Sequence, residues 1–190
     1  MGIFLVMMGV AGCGKSSLGH AVARAEGLGV VEGDDFHGEA SLNKMRNGVA
    51  LTDADRKGWL EVLGEQLRTH PQGLVLTCSA LKRAYRDQLR AGTDGLRFVY
   101  LEIGREEARA RVAARAATHF FSQTLVDSQF TTLEPPLGEP GVLRVDATAP
   151  IAQLQRRVCD WLHPQQHTQA QAQTQQTQQT QQTQGKGQTE

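Results

Sequence analysis

The chain predicts an α/β fold built on a five-stranded parallel sheet, and three observations carry that expectation. Short apolar runs alternate with longer stretches of helical periodicity: Ile3-Phe-Leu-Val-Met-Met8, Gly29-Val-Val-Glu32, Gly73-Leu-Val-Leu-Thr-Cys-Ser79, Leu96-Arg-Phe-Val-Tyr-Leu-Glu-Ile103 and Gly141-Val-Leu-Arg-Val-Asp146. The third run is apolar enough for a strand buried on both faces. The first passes directly into Gly9-Val-Ala-Gly-Cys-Gly-Lys-Ser16, a G-x-x-x-x-G-K-S loop, and residues 17–24 continue as a helix, so strand, loop and helix stand in the order the motif requires.

The spacing of that loop follows from phosphate chemistry. Gly9, Gly12 and Gly14 let the backbone turn tightly and bring its N–H groups against phosphate oxygens. Lys15 reaches the β- and γ-phosphates, Ser16 ligates Mg²⁺, and the helix N-terminus adds its positive end. Gly9, Val10, Ala11, Gly12, Cys13, Gly14, Lys15, Ser16 and Ser17 are therefore the expected binding residues for ATP, with Lys15 catalytic and Ser16 the metal ligand. A glycine-rich turn with an incidental lysine is the weaker reading, given the flanking elements. Cys13 is read as an inert small side chain rather than an oxidisable one.

The second strand ends in Gly33-Asp-Asp-Phe-His37, two carboxylates and an imidazole where a parallel strand meets the ligand crevice. Residues 40–48 form a short helix closed by Asn47-Gly48. Thr52 is a helix N-cap, with Asp53 and Asp55 suiting the dipole of a helix over about 53–70. Trp59, Leu60, Leu63 and Leu67 form its buried stripe, and Pro71 and Gly73 end it. Residues 81–89 are helical and basic. Residues 105–117 form an alanine-rich helix on which Arg111 and Arg115 share a face; 118–121 interrupt it, 122–133 form another helix, and 134–141 a loop. A closing helix spans 150–162 with Ile151, Leu154, Val158 and Trp161 or Leu162 inward.

The chain has 190 residues, which suits one domain, expected over 1–163. From Pro164 onward it is almost wholly Gln and Thr, without the apolar surface that offsets ordering entropy. Residues 164–190 are expected to be a disordered tail, passive rather than partner-binding. Lys plus Arg equals Asp plus Glu at 20 each, so no global basic field argues for nucleic acid or an anionic membrane. Three widely spaced cysteines suit neither a disulfide framework nor a zinc site. The apolar N-terminus lacks a basic leader, Val6 stands where myristoylation wants Ser or Thr, and no stretch reaches membrane-span length. The expectation is a cytoplasmic protein.

A phosphate loop alone does not separate kinases from switches or motors. The length leaves little room for effector domains, and the polar strand ends suit a small acceptor. For phosphoryl transfer Asp34 orients the acceptor hydroxyl or takes its proton; its alternative is turn capping. Asp35 faces solvent, and His37 bonds substrate or is structural. Lys82, Arg83 and Arg86 are a solvated face or, beginning right after Ser79, an arginine fork for an anionic acceptor. Arg111 and Arg115 close over the phosphates as a lid, or pair on the surface with Glu106 and Glu107.

Taken together, Met8-Gly-Val-Ala-Gly-Cys-Gly-Lys-Ser16, Glu32-Gly-Asp-Asp-Phe-His37, Asn43-Lys-Met45, Leu51-Thr-Asp-Ala-Asp-Arg56 with Trp59-Leu60, Cys78-Ser-Ala-Leu-Lys-Arg83 with Tyr85-Arg-Asp87, His119-Phe-Phe121, and Asp127-Ser-Gln-Phe130 with Leu133-Glu134 resemble the bacterial-type gluconokinases. The resemblance covers residues 3–162. It implies ATP and D-gluconate giving 6-phosphogluconate, a three-layer fold similar to the nucleoside-monophosphate kinases with a lid segment, and a homodimer. Asp34 then faces the gluconate 6-hydroxyl, while His37, Lys44, Arg56, Ser79, Arg83, Arg86 and His119 are substrate-side candidates. Arg111 and Arg115 are the lid residues. Gly58 stands where the family carries proline, and Arg115-Ala-Ala-Thr-His119 lacks a glycine and is one residue longer than the family link. The alternatives are a kinase for another small hydroxy acid, such as shikimate, and a nucleotide-binding regulator that presents its tail to a partner.

Overall fold

The computed structural model describes residues 2–114 and 123–164. The elements are β1 (Ile3–Met8), α1 (Lys15–Glu26), β2 (Gly29–Glu32), a 3-10 turn (Gly33–Phe36), α2 (Glu39–Arg46), α3 (Asp53–Arg68), β3 (Gly73–Thr77), α4 (Arg83–Arg90), β4 (Arg97–Glu102), α5 (Arg105–Ala114), α6 (Gln123–Thr132), β5 (Val142–Asp146) and α7 (Ile151–Leu162). Five parallel strands lie in the order β2-β3-β1-β4-β5. This is the expected α/β architecture, with each element within a few residues of its expected place. Because β1 lies between β3 and β4, the carboxyl ends of β1, β3 and β2 stand side by side at a reversal of strand order, where open α/β sheets bind ligands.

Side chains alternate across the sheet and feed two cores. On one face Leu5, Met7, Val75, Val99 and Leu101 meet Leu18 and Val22 of α1 and Leu154 and Val158 of α7. On the other, Val6, Met8, Leu74, Leu76 and Phe98 meet Leu60, Leu63 and Leu67 of α3. Each such side chain, fully buried, contributes roughly 1.5–3 kcal/mol against exposure. In α7, Leu154, Val158 and Leu162 form the inward stripe, whereas Ile151, in the first turn, stays 40% exposed.

Local signals set the helix ends. Thr52 Oγ1 accepts from the Asp55 backbone N–H at 3.3 Å, and Asp55 Oδ2 accepts from the Thr52 N–H at 2.8 Å, a complete capping box that starts α3. Among the described residues no helix is long and apolar enough to cross a membrane.

The basic helix α4 divides into two unlike faces. Arg83 is exposed, but Arg86 is fully buried, with Nε 3.0 Å from Glu139 Oε2, Nη2 also on Glu139, and Nη1 donating to the carbonyls of Ala80 (2.9 Å) and Leu81 (3.1 Å). Arg90 joins the same carboxylate at 2.9 Å. The expectation that Arg86 meets substrate is therefore corrected: it does not line the cleft, its Nε and Nη2 are held by Glu139, and its Nη1 holds the turn after β3, where Ala80 has φ +43°, a left-handed conformation that costs a non-glycine residue about 1–2 kcal/mol. Removing Glu139 strands a buried guanidinium. Glu139→Ala is expected to lower the unfolding free energy by about 3–5 kcal/mol in urea denaturation, and Arg86→Met combined with Glu139→Leu to recover most of that loss. A single variant within about 1 kcal/mol of wild type would contradict this role.

Candidate active site

The phosphate loop is shaped by three left-handed glycines, Gly9 (φ +143°), Gly12 (φ +81°) and Gly14 (φ +95°), before α1 starts at Lys15. Gly12 is also pressed against α5: a Cβ there would stand 2.7 Å from the Ala108 carbonyl oxygen. Gly14 caps α1 without any side-chain hydrogen bond, so no side chain competes with a ligand for that cap. Lys15 Nζ donates to the Val10 carbonyl at 3.1 Å and lies across the loop. The Ala11 N–H donates to Gln129 Oε1 of α6 at 2.6 Å. Cys13 is buried, and burial pushes its thiol pKa up despite Lys15 nearby, which supports the inert reading.

Beside the loop stands Glu32, the last residue of β2, paired in register with Thr77. Its Oε2 accepts from Ser16 Oγ at 2.9 Å and from Thr77 Oγ1. Its Oε1 is enclosed and receives no hydrogen bond, with the His20 ring nitrogen 3.3 Å away. A hydroxyl and a carboxylate with a spare buried oxygen form a hard oxygen donor set that fits a hydrated Mg²⁺ ion, which keeps most of its ligands as water and phosphate. Among the described residues no group of three or more His, Cys, Asp or Glu side chains is placed to hold a metal ion.

The turn after Glu32 is fixed from two sides. A Cβ at Gly33 would lie 2.4 Å from the Thr77 carbonyl oxygen, so the turn sits against β3 only because that residue is glycine. Trp59 Nε1 donates to the Gly33 carbonyl at 2.7 Å, and the Trp59 ring stacks on His37 with centroids 4.4 Å apart. Asp34, on the free side of this turn, is exposed, with Oδ1 3.9 Å from His37 Nε2. His37 is buried with an unpartnered Nδ1, and burial lowers its pKa below the usual imidazole value more than Asp34 raises it.

These parts line one cleft of about 670 Å³. Gly12, Gly14, Lys15, Ser16 and Ser17 form one wall and Asp34, Asp35, His37, Arg46, Arg56 and Trp59 another, with Thr77 and Ser79 also lining it and Leu125, Ser128 and Gln129 entering from α6. Arg56 is buried, donates to the Leu51 carbonyl and lies over the Tyr85 ring. Three other expected residues are held elsewhere. Lys44 is paired to both oxygens of Asp55, Arg83 is exposed beside Asp87, and Arg111 bonds Glu107 and the Ala147 carbonyl; none of them lines the cleft. Arg115 and His119 lie outside the described residues, as do 165–190 of the expected tail. Sequence reasoning left Glu32, Thr77, Arg46 and Gln129 unassigned. Glu32 and Gln129 stand inside motifs already singled out, but their partners are 16 to 118 residues away.

Fold and cleft together define a phosphate-loop kinase with room for a small acceptor. Residues 4–136 match the family model described as "AAA domain". The chain is 42% identical over 145 residues to a gluconokinase of Gluconobacter oxydans, covering 75% of this chain and 81% of the relative. It is 40% identical over 151 residues to the thermoresistant gluconokinase of Escherichia coli, covering 77% and 85%. A crystal structure of a gluconokinase from Sinorhizobium meliloti superposes with a TM-score of 0.75 at 42% identity, covering 81% of this chain and 87% of that one. The chain belongs to the gluconokinase family.

The buried, stacked His37 has a pH consequence. With its folded pKa depressed, the unfolded chain binds this proton first as pH falls, so its contribution to stability is full above about pH 6.5 and is lost progressively below. The urea midpoint is expected to drop between pH 7 and 5.5, and to drop less in His37→Phe, which keeps the stack on Trp59; equal drops would remove His37 from the effect.

Proposed function

We propose that the protein transfers the γ-phosphoryl group of ATP to the 6-hydroxyl of D-gluconate, giving ADP and 6-phosphogluconate. The observation that carries this reading is that Lys15 and Ser16 of the phosphate loop and Asp34 of the β2 turn line the same cleft. The loop amides and Lys15 hold the triphosphate, and Asp34 orients the acceptor hydroxyl. The acceptor oxygen forms a bond to the γ-phosphorus as the bond to the β,γ-bridging oxygen breaks, and that electron pair leaves with ADP. The hydroxyl proton passes to the Asp34 carboxylate. Ser16, with Glu32 through water, would hold Mg²⁺, whose chemistry is to neutralise charge on the β- and γ-phosphates.

The acceptor's own carboxylate calls for a cation, and Arg56 and Arg46 are the arginines in the cleft's lining, Arg46 with Nη1 also on Glu39 and Asn43; a guanidinium is a planar match to a carboxylate. Neutral His37 and Ser79 are suited to polyol hydroxyls. Relatives at 40–42% identity are named gluconokinases, so gluconate is favoured over shikimate as acceptor. A cytoplasmic location and a homodimer rest on the family alone and belong to this proposal.

Coupled ADP-release measurements across a panel of sugar acids are expected to show turnover with gluconate, with a phosphate monoester at carbon 6 by phosphorus NMR. Turnover with shikimate and not gluconate would overturn the acceptor. Lys15→Ala is expected to lose about 10²-fold or more in kcat with the fold intact by circular dichroism. Asp34→Asn is expected to keep ATP affinity but lose about 10²–10⁴-fold in kcat; near-normal turnover would remove Asp34 from the mechanism.

A further inference from the structure

Gln129 lies on α6, 118 residues from the phosphate loop, and its side chain nevertheless bonds that loop's backbone. The Ala11 N–H is only a donor, so the group that meets it at 2.6 Å has to be the amide oxygen Oε1. The two hydrogens of Nε2 take no part in that contact. Among the described residues Nε2 has no hydrogen-bond partner, and Gln129 lines the cleft that holds Lys15 and Asp34. A carboxamide locked at its oxygen and unspent at its nitrogen is a preset donor.

The helix that carries it is fixed on both sides of Gln129. Arg109 grips both oxygens of Asp127, at 3.0 and 2.6 Å, tying α6 to α5, and Val126 is fully buried. Just past its end, the Glu134 N–H donates to the Leu81 carbonyl at 2.9 Å, and Glu134 Oε2 accepts from the Arg83 N–H at 2.7 Å. The same short segment therefore touches the phosphate loop at the tip of β1 and the turn that follows β3.

We propose that Gln129 is a catalytic residue of the transfer, donating from Nε2 to a non-bridging oxygen of the phosphoryl group as it moves from ADP's bridging oxygen to the acceptor oxygen. This rests on the kinase reading above. The bonds made and broken, and the passage of the hydroxyl proton to Asp34, are unchanged; Gln129 contributes a fixed dipole where charge spreads over the phosphoryl oxygens. Being neutral, it adds no salt-screened charge and stays a donor at every working pH.

Two variants of the full-length protein test it. Gln129→Glu keeps the shape and the acceptor for Ala11 but loses the donor, and Gln129→Met loses both. Steady-state kinetics, ADP affinity by titration calorimetry and melting temperature are measured for each. The expected result is a kcat lower by about 10²–10³-fold in both variants, with ADP affinity in Gln129→Glu within about threefold of wild type and melting unchanged. In Gln129→Glu the ratio of its kcat to that of wild type is expected to rise as pH falls from about 8 to 5.5, because the protonated carboxyl regains a donor. A kcat within about threefold of wild type in both variants overturns the proposal. So does a kcat loss matched by an equal loss of ADP affinity with a flat pH ratio, which would make the contact a brace for the loop. Wild-type turnover of gluconate is measured alongside. If it is absent the acceptor assignment fails, and Gln129 is judged by the same variants on ATP hydrolysis to water, where the same phosphoryl group moves.

Discussion

One carboxylate joins the parts of the cleft that come from different strands. Glu32 ends β2, accepts from Thr77 at the end of β3, and accepts from Ser16 at the start of the helix that follows β1. The ends of β2 and β3 and the start of α1 are thereby tied through a single carboxylate oxygen, Oε2. The tie works only because neighbouring backbones approach closely, with Gly33 against the Thr77 carbonyl and Gly12 against α5. A bulkier residue at either point would push the Asp34 turn or the phosphate loop away from the cleft.

The acceptor side is made rigid by a different means. The turn after β3 contains a left-handed alanine, and the buried Arg86 holds that turn by two carbonyls while Glu139 balances its charge. Trp59 does the corresponding work under the β2 turn, bonding Gly33 and stacking on His37. Catalytic geometry is thus supported by buried side chains, Arg86 from outside the cleft and Trp59 from within its wall, as preorganisation requires.

Features that depend on near neighbours in the chain were legible before the structure. The strand runs, the glycine loop, the Thr52 cap and the stripe of Trp59, Leu60, Leu63 and Leu67 are local patterns, and they recover the sheet and the phosphate wall of the cleft. Asp34 was legible because it follows a strand whose carboxyl end had to face the ligand. The basic helix misled for a physical reason: Arg83 and Arg86 look alike in sequence, but only Arg86 finds a carboxylate 53 residues away that makes its burial tolerable. Lys44 is likewise held by an acid on another helix, and Gln129 meets the loop across 118 residues. Pairings of this kind are decided by the fold and leave no periodic trace.

The convergence of loop and Asp34 on one acceptor is tested most directly by a crystal structure with gluconate and a non-hydrolysable ATP analogue bound together. The arrangement predicts the 6-hydroxyl oxygen beside the Asp34 carboxylate and about 3–3.5 Å from the γ-phosphorus, in line with the bridging oxygen. Gluconate bound outside this cleft, or with its carboxylate rather than its 6-hydroxyl turned toward the γ-phosphate, would contradict it.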